Sequence, residues 1–258
     1  MTVLRGARVL LTGASRGIGP HIARELARAG ASLVLTARSQ AELAELSSQI
    51  PGSSFVCADL GRPEALAALV QDAGPIDVLV ANAGLQATGR LSALDPGDID
   101  LALDVNLRAP IQLSRALVPA MVERGRGHVV LIASLAGKVP GPGASIYNAT
   151  KFGLRGFGHA LRVELRRTGV GVSLVSPYFV GETGMWAASG RRSPFPEVSP
   201  QQVARAVRRA LEENRSELVV APLWPRWGAR LISAFPEALL SLAPTLGSIP
   251  HRSAGGDH

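Results

Sequence analysis

Residues 8–19 read RVLLTGASRGIG, an apolar run followed by a glycine-rich turn. The apolar run is typical of a strand buried on both faces, and the periodic pattern of residues 18–29 is typical of a helix. Gly13, Gly17 and Gly19 lie between the two elements, where glycine permits a tight turn and lets the backbone approach a pyrophosphate at the helix N-terminus. This stretch therefore predicts the strand, turn and helix with which a dinucleotide-binding fold begins.

The same alternation of apolar runs and helical patterns continues along the chain. Six more apolar runs lie at residues 32–37, 54–60, 76–84, 128–134, 171–177 and 217–222. Helical patterns separate them at residues 40–49, 63–72, 97–124, 145–167 and 199–213. Strands that are apolar on both faces and alternate with helices form parallel sheets covered on both sides. We therefore predict one α/β domain over residues 1–250, a Rossmann-type, doubly wound parallel sheet of about seven strands with helices on both faces, followed by a disordered tail at 251–258.

The composition excludes several classes of protein. The chain has 258 residues, a formal charge of +7 and 47% apolar residues. Its arginines are spread along the sequence without interleaved aromatics, so no nucleic-acid partner is expected. Its single cysteine, Cys57, cannot form an internal disulfide and is expected to fill the core at a strand end. The absence of a leader segment and of an apolar run of about 18 residues indicates a cytoplasmic protein.

The end of the second apolar run bears on the choice of cofactor. NAD-selective sites place an acidic residue there to bind the ribose hydroxyls, whereas this chain has Ala37 followed by Arg38. Arg38 and Arg16 would bind a 2′-phosphate through charge-assisted, bidentate hydrogen bonds. We therefore predict NADP(H) as the cofactor, with NAD(H) as the alternative if both arginines are solvated surface residues.

One of the chain's two tyrosines and one of its two lysines lie in the stretch YNATK, residues 147–151. Tyr147 and Lys151 are four residues apart in a helical pattern, so their side chains share one face. A cation about 4 Å from the phenol would lower its pKa by up to about three units, toward neutrality. Ser134 ends the fifth apolar run, where its hydroxyl would donate to an oxygen that becomes negatively charged during hydride transfer. The sequence thus predicts Tyr147 as the acid–base group, assisted by Lys151 and Ser134.

Four stretches together resemble the classical short-chain dehydrogenase/reductase family over residues 5–220: TGASRGIG, ANAG, the run that ends at Ser134, and YNATK. The resemblance implies that Ser134, Tyr147 and Lys151 fill the catalytic positions, and that Asn106 fills a fourth, holding a water in a proton relay. It also implies that Asp59 and Leu60 contact the adenine. The full set of cofactor-binding positions implied in this way is Gly13, Ser15, Arg16, Gly17, Ile18, Gly19, Arg38, Asp59, Leu60, Asn82, Ala83, Gly84, Tyr147, Lys151, Pro177, Val180 and Thr183.

One stretch departs from the family pattern. The usual P-G-x-[IV]-x-T after the sixth strand appears as PYFVGET, with Tyr178 in place of the glycine and Thr183 one residue late. Pro177 and Val180 still match, so a backbone contact to the nicotinamide amide is expected. Residues 185–198 interrupt the alternation of strands and helices and are predicted to form a substrate lid. The predicted substrate-binding residues are Ser134, Tyr147, Tyr178 and Trp186, with packing beneath the lid as the alternative for Tyr178.

The sequence therefore predicts an NADP(H)-dependent oxidoreductase that transfers a hydride between nicotinamide and an apolar carbonyl or secondary alcohol. The alternatives are a non-catalytic NADP-binding scaffold and a membrane-surface lipid or acyl reductase that uses residues 223–247. That segment alternatively covers the pocket or a partner subunit. No metal site is expected, because His21, His128 and His159 lack ligand spacing. The family resemblance also implies a homotetramer or homodimer built on the helices near 106–124 and 147–167.

Overall fold

Seven strands form one sheet in the computed structural model, which describes residues 1–181 and 196–224. The strands are β1 Arg8–Thr12, β2 Ser32–Ala37, β3 Ser54–Cys57, β4 Val78–Ala81, β5 Gly127–Ile132, β6 Val170–Pro177 and β7 Glu217–Val220. They pair in the order β3-β2-β1-β4-β5-β6-β7, and every pairing is parallel. The predicted doubly wound parallel sheet is confirmed.

Helices connect the strands at the places that the sequence predicts. They are α1 Gly19–Arg28, α2 Gln40–Ser48, α3 Pro63–Ala73, α4 Pro96–Leu103, α5 Ala109–Glu123, α6 Ser145–Glu164 and α7 Pro200–Glu213. Side chains cap several of their starts: Ser199 accepts a hydrogen bond from the backbone N–H of Gln202, whose side chain accepts from the N–H of Ser199. Such reciprocal caps satisfy N–H groups that the first turn of a helix leaves unpaired.

The apolar core has two layers, one on each face of the sheet. Leu11 of β1 packs with residues of α1, α2 and α7, whereas its neighbour Leu10 packs with residues of α3, α5 and α6. Successive side chains of a strand point to opposite faces, so a strand covered on both faces is apolar at most positions. Each fully buried leucine stabilises the fold by roughly 1.5–3 kcal/mol.

The carboxyl ends of the strands define where a ligand can bind. β1 lies between β2 and β4, so the chain crosses from one half of the sheet to the other at this point. Doubly wound sheets bind ligands in the crevice outside the carboxyl ends of the strands at such a switch point. The glycine-rich turn after β1 lies at this edge.

The predicted helix at 97–124 is divided in the structure. A π-helical turn, Asp104–Arg108, separates α4 from α5, and the N–H of Ala109 donates to the carbonyl oxygen of Asp104. Pro110 has no N–H to donate to the carbonyl of Asn106, which interrupts the regular α-helical pattern here. The single uninterrupted helix was therefore a wrong prediction.

The prediction that Cys57 fills the core was also wrong. Cys57 is exposed, and its thiol donates to the carbonyl oxygen of Arg38 over 3.1 Å. β3 pairs with β2 alone among the described residues, and its residues are half-buried or exposed. An apolar run therefore does not guarantee burial when its strand lies at the edge of the sheet.

Several predictions fall outside the residues that the structure describes. Thr183, Trp186, most of the lid at 185–198, most of the segment 223–247 and the tail at 251–258 belong to this group. At the end of the lid segment, the N–H of Val198 donates to the carbonyl of Phe179, and the N–H of Gly181 donates to the carbonyl of Val198. In residues 1–181 and 196–224, the helices are too short or too polar to span a bilayer.

Candidate active site

The glycine-rich turn packs closely against the end of β4. Gly13 has φ +62°, and a β-carbon at this position would lie 2.8 Å from Cα of Ala83. The Thr12 hydroxyl accepts hydrogen bonds from the N–H groups of Asn82 and Ala83, both over 3.0 Å. The Asn82 amide donates to the carbonyls of Thr12 and Gly13, also over 3.0 Å. The structure thus brings the predicted turn and the predicted ANAG segment together at the carboxyl edge of the sheet.

The geometry of this turn fits a nucleotide pyrophosphate. A β-carbon at Gly19 would lie 2.1 Å from the carbonyl oxygen of Gly13, so the turn and the start of α1 allow no side chain there. The first turn of α1 has no side-chain cap, and uncapped N–H groups at a helix N-terminus attract anions. Oδ1 of Asn82 is buried without a hydrogen-bond partner among the described residues, which leaves an acceptor for a hydroxyl group at the same edge.

Arg16 forms an ion pair that the sequence analysis missed. Its Nε atom lies 2.8 and 2.9 Å from the two carboxylate oxygens of Glu42, at the start of α2. Hydrogen bonds from Arg16 and Ser15 lower the pKa of Glu42. The spacing of Ser39 and Glu42 could have indicated that Glu42 lies in the first turn of α2, where Ser39 accepts a hydrogen bond from its N–H. Glu42 therefore competes with any phosphate for this arginine.

The remaining residues implied for the adenosine half lie along the same edge. Arg38 is exposed directly after β2, and Thr36 of β2 pairs with Thr12 of β1 next to the glycine-rich turn. Asp59 follows β3 and accepts a hydrogen bond from the N–H of Gly61 over 3.0 Å, while Leu60 is buried. The ends of β1, β2 and β3 thus provide one continuous border for a nucleotide.

Ser134 and Tyr147 lie together, as the sequence predicts. Ser134 follows β5 and caps the 3-10 turn Leu135–Gly137, with its Oγ accepting from the N–H of Ala136 over 3.1 Å. Tyr147 lies in the first turn of α6, and its hydroxyl is close enough to the Ser134 side chain for the serine to lower its pKa. Two hydroxyl groups therefore meet at the carboxyl edge of the sheet.

The pKa of Tyr147 differs from the sequence-based prediction in direction. Burial raises it above its ordinary value, because a phenolate is poorly solvated there, and the Ser134 side chain offsets this in part. The pKa is raised despite the neighbouring Lys151. Its Nζ donates to the carbonyl oxygen of Ile132 over 3.0 Å and lies 5.7 Å from the centre of the Tyr147 ring. The shared helix face is confirmed, but the expected fall in the tyrosine pKa is wrong.

Lys151 is itself strongly affected by burial. The whole residue is 3% exposed, and burial lowers its pKa to about 8. A buried ammonium group loses hydration, and the neutral amine becomes easier to form. Lys151 can therefore exchange a proton near neutral pH.

Asn106 lies in the π-helical turn and is fully buried. Its Oδ1 accepts from the N–H of Leu85 over 2.6 Å, and its Nδ2 donates to the carbonyl of Leu85 over 2.8 Å. A β-carbon at Gly84 would lie 3.4 Å from Oδ1 of Asn106 and 3.6 Å from Nζ of Lys151. The structure therefore brings together all four predicted catalytic positions, and π turns often occur at functional sites.

Asn148 is a further residue that the sequence analysis missed. It is buried beside Tyr147, and its Nδ2 donates to the carbonyls of Ala136 and Val139 over 2.5 and 3.0 Å. Its Oδ1 accepts from the N–H of Gly141 over 3.1 Å. Asn148 thereby fixes the loop that follows Ser134 to the helix that carries Tyr147. A polar residue on the buried face of a helix was the signal in the sequence.

The segment after β6 is described as far as Gly181. Pro177 ends β6 and is buried, and Val180 forms an isolated parallel bridge with Val198. Tyr178 is half-buried, packs against the α1–α7 side of the core, and contacts Phe179 edge to face with 4.6 Å between ring centres. This placement is packing against the core, and for Tyr178 both packing beneath the lid and contact with substrate stay predictions.

Comparison with known proteins decides the family. Residues 7–193 match the family model described as short chain dehydrogenase. The chain belongs to the short-chain dehydrogenase family. The matched range extends from before β1 past the end of β6 and includes the four predicted catalytic residues of this short-chain dehydrogenase.

Individual relatives agree with this assignment. The chain is similar to ketoacyl reductase HetN of Nostoc sp., with 41% identity over 85% of this chain and 80% of the relative. A solved short-chain dehydrogenase from Sphingobium yanoikuyae in complex with NADPH is 30% identical, with a TM-score of 0.79 over 96% of this chain and 98% of the other. A metagenomic short-chain oxidoreductase in complex with NADP is 36% identical, with a TM-score of 0.70 over 86% of this chain and 99% of the other. The short-chain dehydrogenase described here thus belongs to a family of oxidoreductases.

Proposed function

We propose that this short-chain dehydrogenase is an NADP(H)-dependent oxidoreductase that interconverts a carbonyl compound and a secondary alcohol. The juxtaposition of Ser134 and the Tyr147 hydroxyl, beside Lys151, carries the proposal. It lies at the carboxyl edge of the sheet, where the glycine-rich turn and the Asn82 segment also lie. A carbonyl oxygen placed between two hydroxyl donors is stabilised as it gains negative charge.

The reductive direction suits the protonation state of Tyr147. When bound, the nicotinamide supplies or accepts the hydride. A raised pKa keeps the Tyr147 hydroxyl protonated at neutral pH, so this residue can donate its proton to the carbonyl oxygen. The Ser134 hydroxyl donates a hydrogen bond to the same oxygen and orients it.

Lys151 and Asn106 are proposed to return a proton to Tyr147. With a pKa of about 8, Lys151 can release a proton near neutral pH and be protonated again from solvent. The Asn106 side chain is held by Leu85, while its backbone carbonyl lacks the α-helical donor at Pro110. We propose that this carbonyl accepts a water that connects Lys151 to solvent.

The proposed cofactor is NADP(H) in preference to NAD(H). Arg38 is exposed after β2, and the preceding residue is Ala37, not an acid. The two solved relatives described above are complexes with NADPH and NADP. Arg16 contributes only if it leaves Glu42, so Arg38 is the main partner proposed for a 2′-phosphate. The other residues proposed to hold the cofactor are those implied by the family resemblance.

The substrate class is the part of the proposal that needs an experiment most. The sequence predicts an apolar carbonyl compound, and one relative is named a ketoacyl reductase. The decisive measurement is NADPH oxidation with a panel of aliphatic ketones, aryl ketones, β-ketoacyl thioesters and polar hydroxyketones. Turnover with at least one carbonyl compound is expected, with apolar members preferred. NADPH binding without turnover of any member would instead favour the non-catalytic scaffold.

Self-association is proposed on the outer faces of α5 and α6. Phe152 and Val163 of α6 are exposed by 42% and 71%, and Val122 of α5 is exposed as well. Contiguous exposed apolar patches mark association surfaces, and we propose that these three side chains contribute to one. Sedimentation velocity is expected to show a homodimer or homotetramer. The cytoplasmic location stays a prediction of the sequence.

A further inference from the structure

Glu217, the first residue of β7, accepts contacts from four side chains. Lys138 Nζ lies 2.8 Å from its carboxylate, the Ser176 hydroxyl lies 3.0 Å away, and Nε of Arg155 lies 3.3 Å away. Nε2 of His159 lies 3.5 Å away. We call these five residues the Glu217 cluster. The function proposed above uses none of its members.

The cluster joins the elements that carry the proposed catalytic residues. Lys138 directly follows the 3-10 turn capped by Ser134, and Arg155 and His159 lie on α6, which carries Tyr147 and Lys151. Ser176 lies at the end of β6, directly before Pro177. One carboxylate thus links the Ser134 loop, the catalytic helix and the strand that leads to the nicotinamide segment.

The contact between Lys138 and Glu217 is the most buried ion pair of the cluster. The two side chains are 13% and 11% exposed, whereas Arg155 and His159 are more open, at 30% and 38%. Burial acts to raise the pKa of Glu217, but hydrogen bonding and charge from Lys138, together with the charge of Arg155, lower it below its ordinary value. The carboxylate is therefore charged at neutral pH. A buried, charge-assisted hydrogen bond fixes its partners more firmly than an exposed ion pair does.

The Ser134 loop has two separate attachments. On one side, Asn148 binds the loop at Ala136, Val139 and Gly141 and holds it to α6. On the other side, Lys138 binds Glu217 and holds it to β7. Neither attachment touches the Ser134 hydroxyl, so each acts on that hydroxyl only through the backbone between them.

We propose that Lys138 is a positioning residue, whose ion pair with Glu217 holds the Ser134 loop so that the Ser134 hydroxyl stays in contact with Tyr147. This inference rests on the proposed oxidoreductase function. A purely stabilising role is the competing explanation, because breaking a buried ion pair destabilises a protein wherever it lies. The two explanations differ in what happens at Ser134 while the protein remains folded.

Lys138→Met and Arg155→Met form a matched pair for the test. Each removes one cation from the same carboxylate, but only Lys138 belongs to the Ser134 loop. Lys138 and Glu217 border a cavity of about 650 Å³, so the methionine can be accommodated without overpacking. Lys138→Arg keeps the charge and serves as the conservative variant. Ser134→Ala gives the limit for complete loss of the hydroxyl.

The first readout is steady-state kinetics with NADPH and a ketone that the wild-type protein reduces. Lys138→Met is expected to lower kcat by about tenfold to a hundredfold, since small displacements of a positioning group have effects of this size. NADPH affinity is expected to stay within about twofold, because the pair lies outside the cofactor-binding residues. Arg155→Met is expected to keep kcat within about twofold, and Lys138→Arg to recover most of the loss. Equal kcat values in Lys138→Met and Arg155→Met would overturn the proposal.

The second readout is the pH dependence of kcat. The Ser134 side chain lowers the pKa of Tyr147, so loosening this contact moves the kinetic pKa upward. Lys138→Met is expected to shift the profile in the same direction as Ser134→Ala, whereas Arg155→Met leaves it in place. A profile that does not move in Lys138→Met, whatever its thermal stability, supports the purely stabilising role and contradicts positioning.

The third readout needs no substrate and separates this inference from the proposed function. Amide hydrogen exchange in residues 135–141 of the NADPH complex is expected to rise in Lys138→Met and in Glu217→Gln, but not in Arg155→Met. If exchange rises in this way but the wild type turns over no ketone, the loop attachment is supported and the proposed oxidoreductase function is rejected. Unchanged exchange in both Lys138→Met and Glu217→Gln would overturn the inference even if the wild type is an active reductase.

Discussion

The Nζ atom of Lys151 lies 5.7 Å from the centre of the Tyr147 ring and donates a hydrogen bond to the carbonyl oxygen of Ile132. Its ammonium group is buried with this carbonyl as its nearest described hydrogen-bond partner. Burying a cation without a neighbouring anion is unfavourable, and the lowered pKa of Lys151 reflects this. Lys151, which is proposed to take part in the chemistry, therefore lowers the stability of the fold.

Replacement of Lys151 by methionine tests this opposition. The pKa of Lys151 is about 8, against an ordinary value of 10.5. Below pH 8 its buried charge is expected to lower the free energy of unfolding by about 3 kcal/mol, and this effect vanishes above pH 10.5. The stability of wild type relative to Lys151→Met should therefore rise between pH 8 and 10.5. Urea unfolding of both proteins without cofactor, at several pH values, measures the difference, and a difference independent of pH would contradict the assigned burial.

Removal of the Tyr147 hydroxyl tests the proposed acid. Tyr147→Phe keeps the packing of the ring, so the fold and NADPH binding are expected to survive while turnover falls by several orders of magnitude.

Lys151→Arg is the companion variant. Arginine keeps the charge, but its planar guanidinium is bulkier than an ammonium group and does not release a proton. Turnover close to that of wild type in either variant, measured by NADPH oxidation, would show that the replaced residue has no essential part in the chemistry.

Asn148→Ala tests the link between the Ser134 loop and α6. The change leaves the carbonyls of Ala136 and Val139 and the N–H of Gly141 without their partner. The expected loss of unfolding free energy is about 1–3 kcal/mol, together with a fall in kcat. Ser114→Ala is a suitable control, since Ser114 is also buried but binds a carbonyl of its own helix, that of Pro110, and not the Ser134 loop. A loss of stability in both variants with kcat unchanged in both would show that Asn148 has no part in positioning.

The ion pair between Arg16 and Glu42 leads to a prediction about cofactor affinity. Glu42→Gln removes the carboxylate that binds Arg16 and frees this arginine for a 2′-phosphate, so tighter NADPH binding is expected with little change for NADH. Arg38→Asp removes the main proposed phosphate partner and adds repulsion, so the preference should shift toward NADH. Fluorescence titration with NADPH and NADH is the measurement, and Arg24→Asp is the control, because Arg24 of α1 binds Gln49 and not Glu42. If Glu42→Gln weakens NADPH binding, the carboxylate orients Arg16 and does not compete with the phosphate.

Much of the fold could be predicted because its causes are local. Strands covered on both faces are apolar at most positions, and Gly13 is required by a backbone conformation and a close approach that few other residues allow. The spacing of Tyr147 and Lys151 predicts a shared helix face, and the structure confirms it. These features depend on the sequence within a few residues.

The features that were missed depend on contacts between distant segments. The pKa of Tyr147 is set by burial, which the spacing of two residues does not reveal. Arg16 is bound by Glu42 on another helix, and Lys138 by Glu217 on the last strand. Cys57 is exposed because its strand lies at the edge of the sheet. The order of strands in a sheet cannot be predicted from one apolar run alone.

Because Asp104–Arg108 forms a π-helical turn, the position of Asn106 depends on the number of residues in this segment as well as on their identity. A π turn accommodates one residue more than a regular helix would. Loss of one codon within it would rotate α5 relative to α4 by about 100°. Asn106 would then turn away from Leu85 and Lys151, although every side chain of the site would still be encoded. Homologous genes are accordingly expected to vary in the identity of residues 107 and 108 more readily than in their number.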